Sequence, residues 1–446
     1  MPTILLGDGA SLQNEQIVFI VLIQLAVIIL AARALAASSA RFGQPAVVGE
    51  IAAGILLGPS CFGRLCPGLS AVIFDHSVDV VFGALSELGL ILLVFVVGLE
   101  FDFSHVRQWG KAAVGMSVVG TCLPFLLGAG IAPLIWPYLE PIAATGRPVP
   151  FLGFVLFMGT AMSITAVPVL GRIMVELNIT RTRLGAVVIS AAAVGDAVGW
   201  TLLATVSSIV QANFQPWRTV GMIGATLGFF LLMLFAIGPI MKRFLRRAIV
   251  RGGGDLQSGS LAILYAAVFL CAMITNRIGI FAVFGAFLLG TVLSSETAVR
   301  DVMTSHLRAF LTVIFLPIFF TYTGLRTDMG ALHVPVHWLI FVGILVCAVL
   351  GKMGGCAFAA RIGGFSSREA ICAGAMMNTR GLMELVVVNV GRELGVIPDS
   401  VFCMLVLMSL VTNVMTMPLV LTFMPGTELE PFIRESRSKP GVVGDL

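Results

Sequence analysis

The chain has 446 residues, of which 58% are hydrophobic and only 11% are charged, whereas soluble domains carry about 25% charged residues. Its mean hydropathy is +1.03, and apolar runs of about 20 residues alternate with short polar breaks, which predicts an all-α polytopic membrane protein. The formal net charge of +4 is spread over short loops without interleaved aromatic residues, which excludes a nucleic-acid-binding surface.

The apolar runs predict thirteen transmembrane helices. The segment Met1–Glu15 lacks the basic region and cleavage site of a signal peptide, so the first helix is expected to stay in the protein. The least certain division lies in 261–294, where Thr275-Asn276-Arg277 splits an apolar stretch and a single bent helix is the alternative. In chain order the predicted helices are 17–36, 45–60, 80–99, 110–135, 151–176, 184–210, 219–245, 261–276, 280–294, 307–325, 336–360, 369–391 and 400–424.

The positively charged residues set the expected orientation. With the N-terminus placed outside, the inner loops and helix ends carry nineteen of the 27 lysines and arginines, and the outer loops carry six. Because cytoplasmic loops are enriched in Lys and Arg, we expect the N-terminus outside and the C-terminus in the cytoplasm, in a plasma (inner) membrane. The transmembrane domain is predicted to cover residues 1–424, followed by a short cytoplasmic tail, 425–446.

Two predicted helices contain polar interruptions. Helix 151–176 is interrupted over Gly159–Pro168, and helix 369–391 over Gly374–Gly381. If helix 219–245 is a linker, the interrupted helix is the fifth in each set of six, and the second set must enter the membrane from the opposite side. Freed backbone groups at membrane depth are tolerated only where they line a protein cavity. The sequence therefore predicts two inverted six-helix repeats with crossed broken helices and an ion site at their crossing.

Asp196 is the only carboxylate in the predicted helix 184–210. Since a charge at mid-membrane costs at least ~2.5 kcal/mol, we interpret it as a carrier of a proton or cation, with a structural aspartate as the alternative. At 1.5 Å per residue, Asp196, Thr165 and Arg380 all lie roughly 16 to 18 Å from the inner ends of their helices. The hydroxyls of Thr165 and Ser163 are suitable ligands for a dehydrated alkali cation, although such hydroxyls also commonly bond backbone carbonyls.

Five further charged residues within predicted helices are candidates for a role at or near the site. Lys352 is either a snorkelling lysine or a buried counter-charge to the aspartate or to the C-terminal end of a half-helix. Arg380 and Glu384 are four residues apart on one helix face, which predicts a structural ion pair. Glu50 and Glu87 lie near small residues and are secondary candidates for packing or for the transport pathway.

Four segments of the chain match a known pattern in the right order. They are Val48–Ser60 (VGEIAAGILLGPS), Ser163–Arg172 (SITAVPVLGR), Gly285–Gly290 (GAFLLG) and Met377–Leu385 (MNTRGLMEL). Together they resemble the monovalent cation:proton antiporter superfamily 2, and within it the plant-type cation/proton exchangers and their bacterial relatives. The resemblance extends over roughly residues 17–425, and the last two segments together are quite specific.

The resemblance implies thirteen helices in two inverted repeats, and a homodimer in which a core slides against a dimerisation domain. The core would comprise the helices of about 110–210 and 336–424. The dimerisation domain would comprise the helices of about 17–99 and 261–325, with 219–245 as the linker helix.

The resemblance also assigns site residues. The family's ion-binding aspartate corresponds to Asp196, its polar residues in the unwound helices to Thr165 and Asn378, and its core lysine to Lys352. Gly195 departs from the pattern, because electrogenic relatives have Asp there and plant-type exchangers usually have Asn. Glycine supplies no ligand and binds no proton, so we expect electroneutral exchange of one proton for one cation, unless Lys352 also releases a proton.

The sequence thus predicts a secondary antiporter that exchanges H⁺ for Na⁺ or K⁺ by alternating access in a lipid bilayer. A channel-like potassium efflux protein is one alternative. A transport-dead sensor on the same fold, suggested by Gly195, is another. No nucleophile and base pair is visible, and no two of the five histidines stand four residues apart with an intervening Glu, as in a zinc-binding motif. We therefore expect no enzymatic activity, no catalytic residues, no resident metal and no cofactor.

Overall fold

Helices make up most of the chain in the computed structural model. The structure describes residues 5–438 except 75–77, 101–109, 141, 144, 147, 180–181, 212–215 and 253–255. Within these residues every regular secondary-structure element is a helix, and no β-strand is present. The main helices are α1 (Leu5–Arg41), α2 (Ala46–Leu57), α3 (Asp79–Glu100), α4 (Gly110–Ile135), α5a (Phe151–Ser163), α5b (Val167–Glu176), α6 (Arg183–Gln211), α7 (Pro216–Leu232 and Gly238–Arg251), α8 (Ser258–Ile278), α9 (Ala282–Leu293), α10 (Thr297–Phe310 and Leu316–Leu325), α11 (Pro335–Val349 and Gly355–Ile362), α12a (Ser367–Met377), α12b (Leu382–Glu393) and α13 (Asp399–Phe423).

Each predicted helix overlaps one of these helices or helix pairs. In the described part of the chain, nine helices are long and apolar enough to cross a membrane, and the bent pairs of α10 and α12 raise this number to eleven. Phe151–Ser163 and Ala282–Leu293 are shorter apolar helices. The polytopic all-α fold expected from the composition is confirmed.

The stretch 261–294 forms two helices, so the alternative of one bent helix is wrong. The chain turns at Gly279, whose φ of 97° lies in the left-handed region that favours glycine. Thr275 does not split α8, because its hydroxyl donates to backbone oxygens of its own helix, 3.1 Å from that of Cys271. The break therefore comes a few residues after the polar triplet that suggested it.

Helix α10 also differs from the prediction. It begins at Thr297, ten residues before the predicted start, and its two parts bend by 46°. A π-helical turn, Leu311–Phe315, connects the two parts. Similar turns occur in α7 (Met233–Ile237) and in α11 (Leu350–Gly354).

Close glycine contacts relate the two halves of the chain. A Cβ at Gly49 would lie 2.3 Å from a backbone oxygen of α1, and one at Gly285 would lie 2.2 Å from a backbone oxygen of α8. Five residues further on, a Cβ at Gly54 would lie 2.1 Å from a backbone oxygen of α10, and one at Gly290 would lie 2.2 Å from one of α3. If helices 1–6 are matched in order with helices 8–13, the contact of α2 with α1 corresponds to that of α9 with α8, and the contact of α2 with α10 corresponds to that of α9 with α3. An internal repeat requires this correspondence.

The segment after α13 folds back onto the bundle, which the sequence did not predict. It contains a short helix, α14 (Glu430–Ser438), preceded by the fully buried Leu429. Glu428 Oε1 accepts a hydrogen bond from the backbone N–H of Leu184, 2.5 Å away, in the first turn of α6. Arg368 at the start of α12a donates to the backbone oxygen of Pro425, 2.6 Å away. The segment therefore packs against the starts of α6 and α12a.

Candidate functional site

The breaks in α5 and α12 meet inside the bundle. Residues 164–166 separate α5a from α5b, and residues 378–381 separate α12a from α12b, whose axes differ by 43°. The backbone N–H of Ala166 donates to the carbonyl oxygen of Thr379, 3.1 Å away. This bond directly joins the two breaks, so the crossing of broken helices expected from the sequence is confirmed.

Two cations cap the C-terminal end of α5a. The guanidinium of Arg380 donates from Nη1 to Ala161 O, 3.0 Å away, and from Nη2 to Met162 O, 2.9 Å away. The ammonium of Lys352, in the π-helical turn of α11, donates to the next carbonyl, Ser163 O. Both cations are at most 1% exposed. They satisfy carbonyls that a helix end leaves without partners and face the negative end of its dipole, so Lys352 does not snorkel outward.

Arg380 has two further partners. Its Nη1 lies 3.2 Å from Oε1 of Glu384, which is 1% exposed. Its backbone N–H donates to Oδ1 of Asn413 on α13, 2.9 Å away. Arg380 therefore holds α5a, α12b and α13 together around the crossing.

Asp196 lies in the middle of α6 and is 2% exposed. The helix is adjacent to the break in α5, because a Cβ at Gly199 would lie 3.1 Å from the side chain of Ile164. The opposite charge that acts on the Asp196 carboxylate is that of Lys352. The helix that carries this ionisable side chain thus packs against one of the two joined helix breaks.

Three of the four residues predicted to bind the cation or proton each have a buried oxygen atom without a hydrogen-bond partner within the described residues. These atoms are Oδ1 of Asp196, Oγ1 of Thr165 and Oδ1 of Asn378. The amide nitrogen of Asn378 is directed instead at the sulfur of Met415, 4.0 Å away. Since buried polar atoms normally have partners, and a carboxylate, a hydroxyl and an amide oxygen are hard ligands, this set fits a dehydrated alkali cation.

Ser163 differs from Thr165. Its hydroxyl donates to Thr160 O, 2.8 Å away, within α5a. Its contribution at the crossing is the carbonyl that Lys352 binds. The structure therefore gives Thr165, rather than Ser163, an uncommitted hydroxyl.

The two secondary glutamates lie on helices other than the broken ones. Glu50 on α2 is buried, and its backbone oxygen accepts from the hydroxyl of Thr321 on α10, 3.1 Å away. Glu87 on α3 is exposed.

Sequence reasoning did not identify a polar recess between α4 and α6. A Cβ at Gly195 would lie 3.8 Å from Oγ of Ser117 and 4.0 Å from Oγ1 of Thr121, which are ordinary contact distances. The Thr121 hydroxyl is buried and makes no hydrogen bond in the described structure. Isolated Ser and Thr residues are common in apolar helices, so only the neighbouring Gly195 gave a signal.

Trp200, one turn after Asp196 on α6, was also missed. Its indole is 1% exposed and stacks on Phe287 of α9, with ring centroids 5.5 Å apart and ring planes at 29°. This contact joins the helix that carries the aspartate to the other set of helices. A large aromatic residue in an apolar helix has no sequence feature that would reveal this position.

Residues 25–423 match the family model described as sodium/hydrogen exchanger, transmembrane. The chain is 37% identical over 409 residues to the Na⁺/H⁺ antiporter NhaS4 of Synechocystis sp., covering 91% of this chain and 97% of that protein. It is 34% identical over 400 residues to cation/H⁺ antiporter 18 of Arabidopsis thaliana, covering 90% and 48%. It is 31% identical over 398 residues to K⁺/H⁺ antiporter 1 of Saccharomyces cerevisiae, covering 89% and 45%. The chain thus spans about half the length of the plant and yeast relatives.

The fold is similar to that of the sodium proton antiporter MjNhaP1 from Methanocaldococcus jannaschii. The TM-score is 0.59 over 94% of this chain and 98% of the other, with 15% sequence identity. At that identity the likeness shows a shared fold alone.

Proposed function

Because the chain belongs to the sodium/hydrogen exchanger family, we propose that it exchanges protons for a monovalent cation, Na⁺ or K⁺, across a membrane. The observation that carries this proposal is the buried Asp196 carboxylate, whose Oδ1 has no partner in the described structure, beside the joined helix breaks. A buried carboxylate without a hydrogen-bond partner is costly, and a proton or a cation bound to it lowers that cost. Competition between the two for one site couples their movements.

The cation would bind between three helix segments. Asp196 supplies the charge, while Oγ1 of Thr165 and Oδ1 of Asn378 replace part of the hydration shell. Lys352 and Arg380 hold the end of α5a in place and are not ligands, because cations repel each other. A proton on Asp196 would release the bound cation.

The buried charges favour electroneutral exchange. Two acids, Asp196 and Glu384, face two bases, Lys352 and Arg380, all at most 2% exposed. When all four are ionised they sum to zero, so one proton or one monovalent cation at Asp196 gives the same total of plus one. Gly195 adds no second carboxylate, and a proton leaving Lys352 would weaken its bond to Ser163 O by removing the positive charge on the donor.

Alternating access would arise from movement of a core (α4–α6 and α11–α13) against a frame (α1–α3 and α8–α10), with α7 as linker and the frame forming a homodimer. Contacts between core and frame would then break and re-form. They include the stack of Trp200 on Phe287 and the hydrogen bond from Nδ2 of Asn389 on α12b to Oγ1 of Thr323 on α10, 3.1 Å long. The basic residues at the inner helix ends support a C-terminus on the cytoplasmic side, and a plasma membrane is part of the proposal.

Proteoliposomes loaded with a pH-sensitive dye test the proposal. We expect Na⁺, K⁺ or Li⁺ to trigger a change of internal pH with the wild-type protein and none with Asp196→Asn. Asp301→Asn, which alters an exposed carboxylate on α10, is the matched control and should behave like the wild type. Proton movement that persists in Asp196→Asn would sink the carrier assignment.

The alternatives have their own signatures. Cation flux without proton movement would favour a channel, and a folded protein without any flux would favour a sensor. An imposed membrane potential should leave the exchange rate unchanged. Acceleration by the potential would instead mean that Lys352 also releases a proton.

A further inference from the structure

The recess between α4 and α6 is polar and shielded from lipid. A Cβ at Gly195 would have the hydroxyl oxygens of Ser117 and Thr121 as its nearest contacts beyond the neighbouring backbone of α6, and no third atom lies within 4 Å. Ser117 is 2% exposed and Thr121 is 5% exposed. Oγ1 of Thr121 has no hydrogen-bond partner within the described residues. Since a buried hydroxyl normally has a partner, this oxygen points to a ligand bound in the recess.

The backbone of α4 adds an acceptor beside this hydroxyl. Pro124 lies inside the helix and has no N–H, so the carbonyl oxygen of Gly120 does not receive the usual bond from the residue four positions later. Gly120 is the residue before Thr121. A hydroxyl and a backbone oxygen of α4 are therefore free of their usual helical partners at one level of the bundle.

Lys352 on α11 lies at the same level. A Cβ at Gly351 would lie 3.0 Å from Cα of Pro124, and a Cβ at Gly120 would meet Sγ of Cys356. Since Lys352 comes between Gly351 and Cys356 in the chain, it lies opposite the turn of α4 that contains Thr121. A lysine ammonium has three N–H donors, and the bond to Ser163 O uses one of them. Two donors of this buried cation remain for other partners.

Asp196 follows Gly195 directly on α6. Its Oδ1 is buried without a hydrogen-bond partner in the described structure, and the charge of Lys352 acts on the carboxylate. The attraction therefore acts across a gap and not through a hydrogen bond to this oxygen. Water fits between such groups, because it accepts from an ammonium and donates to a carboxylate and a hydroxyl, and a buried water needs two to four polar partners. A second cation in the recess would be repelled by Lys352.

We propose that the recess is a binding site for a water molecule that connects the Lys352 ammonium with the Asp196 carboxylate, with the hydroxyls of Thr121 and Ser117 as further partners. Because Gly195 has no side chain, the water takes the space that a larger residue would fill. A water bridge leaves the carboxylate able to bind a cation, whereas a direct ion pair would occupy it. The effect of the water on exchange rests on the proposed function, but the binding site itself does not.

Two substitutions test the site by the sign of their effect on stability. In a dry recess, Thr121→Val removes an unsatisfied hydroxyl and Gly195→Ala fills space within a helix, so both should stabilise the protein. In a hydrated recess, valine takes away a partner of the water, and alanine displaces the water without replacing its hydrogen bonds. We expect the second outcome, with the midpoint of thermal unfolding lowered by about 1 °C in detergent free of alkali cations.

Matched variants control for the general effects of these substitutions. Gly115→Ala on α4 serves for Gly195→Ala, because a Cβ at Gly115 would have no other atom within 4 Å. Thr205→Val on α6 serves for Thr121→Val, because the exposed hydroxyl of Thr205 donates to the backbone oxygen of Thr201 in its own helix. Neither control should lower the midpoint. A midpoint of Thr121→Val above the wild type, or of Gly195→Ala above that of Gly115→Ala, would overturn the proposal.

A structure in which ordered water is visible tests the site directly. It should show a density peak within hydrogen-bond distance of Oγ1 of Thr121 in the wild type, and this peak should be lost in Gly195→Ala. A wild-type recess without the peak would overturn the proposal.

Transport measurements test the role of the water in exchange. In proteoliposomes Gly195→Ala should exchange about two- to tenfold more slowly than Gly115→Ala, the range that one hydrogen bond contributes to an equilibrium. Gly195→Ser should recover most of the rate, because its hydroxyl can take the place of the water. Equal rates of Gly195→Ala and Gly115→Ala would overturn this role. A water peak and destabilised variants in a protein without any exchange would support the site and reject the antiport, whereas stabilised variants of an active exchanger would reject the site alone.

Discussion

Alanine at Gly54 and at Gly290 should destabilise the protein to a similar degree. The new Cβ would lie 2.1 Å and 2.2 Å from backbone oxygens of α10 and α3, whereas real Cβ contacts stay above 3.0 Å. Each helix pair would have to separate by about 1 Å, and backbone atoms of packed helices cannot rotate away as a flexible side chain can. The two sites are equivalent positions of the internal repeat, so their costs should be alike.

The magnitude follows from two opposing effects. Overpacking costs about 1–3 kcal/mol, and alanine regains about 0.5–1 kcal/mol over glycine inside a helix. We therefore expect a net loss of up to about 2.5 kcal/mol at each site, and about 1 kcal/mol at the middle of these ranges. Gly130 on α4 is exposed, and a Cβ added there would have no other atom within 4 Å, so Gly130→Ala serves as the control and should be neutral or slightly stabilising.

Thermal unfolding in detergent measures these differences. A thiol-reactive dye reports unfolding well, because Cys271, Cys356, Cys372 and Cys403 are buried. If Gly54→Ala and Gly290→Ala unfold at the same temperature as Gly130→Ala, the close helix contacts are wrong. If only one of the two is destabilised, the equivalence of the halves fails.

Three further changes test the crossing and its surroundings. Arg380→Lys keeps the charge, but its single ammonium nitrogen cannot take the place of the two guanidinium nitrogens that bind the two carbonyls and the carboxylate. We therefore expect a loss of about 2–3 kcal/mol in the same unfolding assay, and an unchanged midpoint would contradict the capping role. Thr165→Val should weaken the apparent cation affinity in the dye assay about tenfold, or about 1.4 kcal/mol. Ser163→Ala should change this affinity far less, and equal effects of the two substitutions would reject Thr165 as a ligand. Glu428→Gln should cost about 0.5–1 kcal/mol by weakening the bond to the N–H of Leu184, and a stability equal to wild type would show that the C-terminal segment does not hold α6.

The helix positions were predictable because a bilayer demands long apolar segments with internally paired backbones. Bends were less predictable. The start of α10 at Thr297 was missed because its first turns contain charged residues, and the turn at Gly279 depends on a backbone conformation that the preceding polar triplet does not report. Local composition thus locates helices better than it locates their ends.

The burial of charged side chains was predictable from their positions in apolar helices, but their contacts were not. Asp196, Lys352 and Arg380 stand out as charges in apolar helices. Which carbonyls Lys352 and Arg380 bind depends on the rotation of each helix, which a sequence does not specify.

The sequence of the C-terminal segment contains a pattern that indicates its packing on the bundle, but the prediction did not use it. Leu429 and Ile433 are four residues apart and both fully buried, which is the spacing of one helix face. The charged residues around them, in a stretch with Glu430 and Arg434, read instead as a solvated tail. Two apolar positions were too few to outweigh that composition.

The hydrogen bond between Ala166 N and Thr379 O joins the immediate neighbours of Thr165 and Asn378. If the two breaks move as a single body, the cation meets the same oxygen atoms whichever side of the membrane it comes from. The apparent affinities measured in right-side-out and inside-out vesicles should then be nearly equal, and unequal values would mean that the breaks shift against each other. A carrier with equal affinity on both faces transports equally well in either direction. The ion gradients of the cell, rather than a preference of the protein, would then decide whether it extrudes a cation or takes one up.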